Sequence, residues 1–425
     1  MRGASWRGRV RRSPRSLAPL EALRIRIRIR LRRGLLAFAI AFALALPLLL
    51  LGCGSPGPTD ASCTPDASAS APPAGSFYAP SAAVIAGDFL FVANASFRYV
   101  CGSTLYDAAS VTVVALADLS VAARIPTSAP SAQFLTVAPG GGAVFAVSSG
   151  PSTFDGAVVH PAGDGALDRI DVPPPGGPAP AAVAATWLVP PGGAATPLAG
   201  YPTRAAVAAG GAAALLGSGT DGIAFRVDLS APGAAPEPIP LFPSANGLNQ
   251  SVEIRVEAGA THVLAFNDDR YCTLPSADGA LDPAALACAD VGERADFIEG
   301  PLDLALDAAG ANAWVVFSPA NAVYRVALGA GAPAFTGDVV PAGVAPNRIV
   351  RDGARYLVVA SGSNAIYVFT PGDAEAALFA ALPPGTNPWD LALDDAGGRA
   401  FVTGLLTNDV TVLDLATGSI LEVLR

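Results

Sequence analysis

The sequence predicts an all-β fold, a seven-bladed β-propeller of four-stranded antiparallel blades, and three observations carry that prediction. Residues 387–402, NPWDLALDDAGGRAFV, nearly duplicate residues 300–315, GPLDLALDAAGANAWV, with ten of sixteen positions identical at an offset of 87. Short apolar runs led by proline, or by Ser251 in its place, recur at Pro80, Pro130, Pro202, Ser251, Pro301, Pro346 and Pro388, so the 87-residue offset is two repeats. Within each repeat apolar residues alternate with a period of two between Gly- and Asn-rich turns, which reads as four short strands.

The elements follow in chain order. Residues 1–33 hold twelve arginines and are followed by GLLAFAIAFALALPLLLL, residues 34–51, the charged and apolar regions of an export signal. The apolar run ends in Leu50-Leu51-Gly52-Cys53, which resembles the bacterial lipobox. That resemblance implies a signal peptide over 1–52, a lipidated Cys53 at the mature N-terminus and an anchored envelope protein. Gly54 follows the cysteine where an Asp would mark inner-membrane retention, so the expected address is the outer membrane. Removing residues 1–52 takes twelve of the 26 basic residues and one of the 35 acidic ones, leaving 14 against 34, a net charge of −20. So acidic a chain is a poor partner for nucleic acid. Residues 53–76, rich in Pro, Ser, Ala and Gly, bury too little apolar surface to offset their ordering entropy and read as a tether.

Residues 77–425 are the expected propeller, closed from seven four-stranded repeats. The last repeat, with FVTG at 401–404 and VTVLDLATG at 410–418, resembles the YVTN-type propeller repeat, and FVAN at 91–94 echoes it in the first. The resemblance implies the fold and little about function, because propellers host binding modules and enzymes alike.

Strand-to-strand connections are long at 95–109, 149–164 and from 267 towards 290. Read as links between the second and third strands of blades one, two and four, they crowd one rim, where function usually sits. Two of them share an Arg-Tyr pair just before or at a cysteine: Arg98 and Tyr99 before Cys101, and Arg270 and Tyr271 before Cys272. The stretch 172–200 reads as an excursion between the third and fourth strands of blade two. In an oxidising compartment Cys63, Cys101, Cys272 and Cys288 form an even set. The expected pairs are Cys272 with Cys288, inside one blade-four loop, and Cys63 with Cys101, tying the tether to blade one.

Catalytic signatures are absent from the sequence, as are metal-ligand spacings around His160 and His262, so neither a metal nor a cofactor is expected. One constellation remains. Two residues after each blade start come Ala82, Ala132, Arg204, Glu253, Asp303, Arg348 and Asp390, a ring that alternation turns towards the channel. Its arginines stay protonated and its carboxylates face them, so the expectation is ion pairing, with binding of a small polar ligand and no proton transfer. The favoured function is a monomeric, lipid-anchored scaffold that presents its loop-rich face to a protein or glycan partner. A hydrolase resembling the propeller lactonases and a quinoprotein-like electron-transfer subunit are the alternatives.

Overall fold

The computed structural model describes residues 77–425, apart from residues 101–102, 155–158, 192–200, 221, 243–250, 276–277, 294–297 and 330. Over that span the chain is a seven-bladed β-propeller of four-stranded antiparallel sheets. With strands lettered a to d outward from the axis, blade one is Pro80–Ala86, Phe89–Asn94, Ser110–Ala115 and Val121–Pro126. Blade seven is Pro388–Asp394, Arg399–Gly404, Asp409–Asp414 and Ile420–Leu424. The a strands between them are Ala132–Val137, Pro202–Val207, Val252–Glu257, Pro301–Leu306 and Pro346–Asp352. The expected signal peptide and tether, with Cys53 and Cys63, lie outside the described residues, as does Cys101. Among the described residues no helix is long and apolar enough to cross a membrane.

The core is a set of seams between blades, one at each of the seven junctions, such as Phe145, Trp187, Leu216 and Phe225 between blades two and three. Each b strand is packed on both faces by neighbouring sheets. Phe89–Asn94, Ala143–Ser148 and Ala213–Ser218 are therefore buried at every position and read as continuous apolar runs instead of alternating ones. Close approach selects small residues there: a Cβ on Gly217 would lie 2.0 Å from the carbonyl oxygen of Val252 in the next blade. Blades one and seven are each built from one contiguous segment, so the ring closes without strand exchange. Closure rests on the seam around Phe77, Leu90 and Phe401, and on the Asn408 side chain accepting from Ala79 N at 2.8 Å.

Strand a carries a register shift near its start in every blade but the fourth, with one more residue in a than in the facing stretch of b. Such a bulge re-aims the side chain that follows it. In blade two the shift falls between Ala132 and Phe134, whereas in blades three, five and six it falls between the proline and the second residue after it. Ala132 therefore stands where the others have proline, and the blade-two ring residue is Phe134, not the predicted Ala132. The APS triplet at 129–131 matches that of blade one by letter but sits two residues early in register.

Two loop assignments also change. In blade four, strand b (Ala260–Ala265) reaches strand c (Arg270–Leu274) through one 3-10 turn, and the long connection instead joins c to d (Ala287–Asp290). That connection lies on the opposite rim, so the crowded face is built by blades one and two alone. Their b-to-c links form hairpins, Phe97–Val100 with Ser103–Tyr106 and Ser152–Phe154 with Val159–Pro161. The hairpins meet where the Tyr106 hydroxyl and Ser152 Oγ lie 2.7 Å apart. In blade two the c-to-d excursion ends at 184, because Ala185–Val189 is strand d and puts Trp187 into the core.

Candidate functional site

The a strands bring the ring residues together as a chain of ion pairs. Arg204 Nε lies 2.8 Å from Glu253 Oε2, between blades three and four. Arg348, in blade six, lies between Asp303 of blade five, at 3.2 Å, and Asp390 of blade seven, at 2.6 Å. Each aspartate also accepts from the backbone of the next blade: Asp303 from Ile349 N at 2.9 Å, and Asp390 from Ala83 N at 3.0 Å. Ring carboxylates thus join blades as well as charges. The aspartates are 3 % exposed and Arg348 11 %, while Arg204 and Glu253 are more open at 19 and 13 %. The ring has a sealed half around Arg348 and an accessible half around Glu253.

Two residues that the sequence reading missed complete the accessible half. Arg255 sits two positions after Glu253 on the same strand and pairs with Asp303 Oδ1. Its signal was the alternation VEIRVE, which puts Glu253, Arg255 and Glu257 on one face. Phe134 carries the Arg204 guanidinium over its ring, 4.6 Å from the centroid, with that of Arg348 at 5.9 Å. A phenyl ring facing two guanidiniums across the channel narrows it at this level and gives both charges a cation–π partner.

A cavity of about 200 Å³ follows the a strands of blades two to five, lined by Phe134, Arg204, Glu253, Arg255, Glu257 and Asp303 among others. It runs from the ring towards the a-to-b turns, reaching Pro139 and Glu257, and so away from the rim that bears the hairpins.

The carboxylates in this site differ sharply in charge state. Burial opposes the Asp303 charge, but Arg255, Arg348 and Arg204, with the Ile349 N–H, overcome it and hold the carboxyl at about 2. Burial likewise works against the Arg348 charge, and Asp390 and Asp303 outweigh it, so the guanidinium is held protonated more firmly than usual. Glu253 goes the other way. Burial pushes it up; Arg204 pulls it down, Asp303 raises it and Arg255 lowers it, for a result of about 7. The expectation that every ring carboxylate is held ionised therefore fails at Glu253, because its burial costs more than Arg204 returns while the ionised Asp303 stands nearby.

The loop-face candidates do not converge. Arg98 and Tyr99 lie on the blade-one hairpin, with side chains outside the described residues. Arg270 and Tyr271 belong to strand c of blade four. Tyr271 is fully buried with its hydroxyl 2.8 Å from His262 Nδ1, and Arg270 stacks over Phe242 at 5.2 Å. The 3-10 turn leads straight into strand c, so alternation turns Tyr271 inward, away from any shared loop site. Cys272 and Cys288 form a disulfide between strands c and d of that blade. His262 is 3 % exposed, and His160 lies on the blade-two hairpin. Among the described residues no group of three His, Cys, Asp or Glu suits a metal ion.

No family model and no curated protein matches the chain. Solved structures match its fold. A protein from Lactobacillus plantarum superposes with a TM-score of 0.54 at 15 % identity, over 74 % of this chain and 91 % of its own. A candidate 6-phosphogluconolactonase of Bacteroides fragilis gives 0.53 at 13 %, over 73 % and 88 %. The periplasmic gluconolactonase PpgL of Pseudomonas aeruginosa gives 0.51 at 16 %, over 75 % and 91 %. At these identities the likeness is one of fold.

Proposed function

We propose that this propeller is a lipid-anchored envelope protein whose channel cavity binds a small hydroxylated carboxylic acid or its lactone, and that lactone hydrolysis is the activity the cavity supports. One observation carries the reading: Glu253, titrating near neutrality, stands between Arg204 and Arg255 in a cavity of about 200 Å³. A group that exchanges its proton near the working pH is what acid/base catalysis needs. In the proposed step ionised Glu253 takes a proton from water as the hydroxyl adds to the lactone carbonyl. Arg204 or Arg255 stabilises the oxyanion, the ring C–O bond breaks, and Glu253 returns the proton to the leaving alkoxide. The cavity is smaller than most drug-sized pockets, which suits a small metabolite. That two solved propellers of this shape bear gluconolactonase names supports the choice of ligand class.

The test is proton release from a six-carbon δ-lactone at pH 7.5 by the purified domain, beside the Glu253→Gln variant. Turnover by the wild type, lost in the variant at unchanged Tm, is the expected outcome. A wild type that binds the free acid without hydrolysing the lactone limits the site to binding, and one that does neither overturns the reading. In that last case the second reading stands, a scaffold docking a protein or glycan through the paired strands Phe97–Val100 with Ser103–Tyr106 and Ser152–Phe154 with Val159–Pro161, on the rim opposite the cavity. For the anchor, a diacylated Cys53 N-terminus in the wild type and an uncleaved precursor in Cys53→Ala are expected. An unmodified wild-type N-terminus refutes it.

A further inference from the structure

Four blade junctions use one latch. The residue before strand a adopts left-handed backbone at Ala79 (φ 48°), Gly300 (65°), Ala345 (49°) and Asn387 (47°). In each case its N–H is taken by the side chain of a second left-handed residue, at the b-to-c turn of the preceding blade. Asn321 accepts from Ala345 N at 2.9 Å, Asn364 from Asn387 N at 2.8 Å, and Asn408 from Ala79 N at 2.8 Å. Between blades four and five the latch residue is Asp269, with φ 48°, accepting from Gly300 N at 2.7 Å and from Glu299 N at 2.9 Å. Asparagine offers the same carbonyl oxygen without a charge that burial penalises. Aspartate there is the one acidic member of the four.

Its surroundings favour the proton. Asp269 is 8 % exposed, and Glu299, fully buried, follows the chain into the same corner, where it accepts from the Tyr324 hydroxyl at 2.6 Å. A Cβ on Gly292 would sit 3.0 Å from Glu299 Oε2 and 3.1 Å from Asp269 Cβ, so that glycine lets the two carboxylates close up. Among the described residues the charged groups facing Asp269 are Glu299, on the link into blade five, and Asp290, at the end of strand d, both acidic. Burial raises the Asp269 carboxyl, the Gly300 N–H lowers it, Glu299 raises it, the Glu299 N–H lowers it and Asp290 raises it, for a result of about 7.

We propose that the junction between blades four and five is a pH-sensitive latch, closed while Asp269 is protonated and weakened when it ionises against Glu299. The consequence reaches the cavity, because Gly300, held by the latch, lies three residues before Asp303, which pairs with Arg255 and Arg348. The device does not depend on which ligand the cavity takes. For an acid whose folded pKa lies above its unfolded value, the native state binds the extra proton. Stability is then greatest below about pH 4 and is lost as pH rises through 7.

Asp269→Asn restores the latch residue of the other three junctions and serves as the test, with melting followed in the full chain from pH 4 to pH 8.5. The variant is expected to match the wild type near pH 4 and to melt about 2 to 5 °C higher at pH 8.5, the gap growing between about pH 4 and 7 and levelling off above. Glu299→Gln, which removes the facing charge, is expected to narrow the wild-type pH dependence. Hydrogen exchange over Gly300–Leu306 should accelerate with pH in the wild type, beyond the intrinsic rate, and not in Asp269→Asn. Because Glu253 titrates in both proteins, only the difference between them reports the latch. Parallel melting curves at every pH, or a variant less stable than the wild type at pH 8.5, overturn the proposal.

Discussion

Replacing Arg348 by Met keeps most of the side-chain volume and removes the charge that joins blades five, six and seven. Asp303 would retain Arg255 and the Ile349 N–H. Asp390 would keep the N–H groups of Ala83 and Leu391 but lose its guanidinium. Removing one partner of a buried pair costs about 3 to 5 kcal/mol, and since Asp303 is cushioned by Arg255 the lower end applies, about 3 kcal/mol. With an unfolding entropy of about 2 cal/mol/K per residue, this domain would melt about 4 °C lower. Urea and thermal melts at pH 7 measure the loss, and a cycle with Asp390→Asn apportions it. In the Asp390→Asn background Arg348→Met should cost less by about 1 to 3 kcal/mol. An unchanged Tm, or equal losses in both backgrounds, refutes the claim that this ion chain holds the sealed half of the ring.

Three other perturbations test separate parts of the structure. Phe134→Ala removes the ring that faces Arg204 and Arg348, and should destabilise the domain by about 3 kcal/mol and change ligand affinity in the cavity; unchanged affinity would place Phe134 outside the site. Cys272→Ser with Cys288→Ser opens a staple closing a sequence separation of 16, and should cost about 3 kcal/mol, measured against the reduced wild type, which should melt at the same temperature as the variant. Burial lowers His262 to about 4, so the native state excludes a proton that the unfolded imidazole takes up near 6.5. Stability should therefore fall as pH drops from about 6.5 towards 4, and His262→Gln should flatten that slope; an identical slope refutes the assignment.

The repeat, the strand count and most of the ring were legible in the letters because they are one-dimensional signals. A period of two, a recurring turn and a fixed offset from the blade start survive without knowledge of any neighbour. That offset lands on Arg204, Asp303, Arg348 and Asp390, and in blade four, which has no bulge, on Glu253, one residue after Val252. It failed in blade two, where Pro130 sits two residues early in register, so that Phe134 and not Ala132 takes the ring position.

By itself, then, the sequence determined that seven four-stranded units follow one another and that a ring of charge of the order Arg, Glu, Asp, Arg, Asp lines their inner strands. Only the tertiary structure decided which half of that ring is open, that Arg255 and Phe134 belong to it, and that the long blade-four connection faces the other rim. It also decided that Glu253 and Asp269 hold their protons to about pH 7 while Asp303 gives its proton up near 2. The physical reason is that desolvation and Coulomb energies are sums over groups brought together from different blades, and an Asp or a Glu carries no mark in the chain of how many arginines will face it.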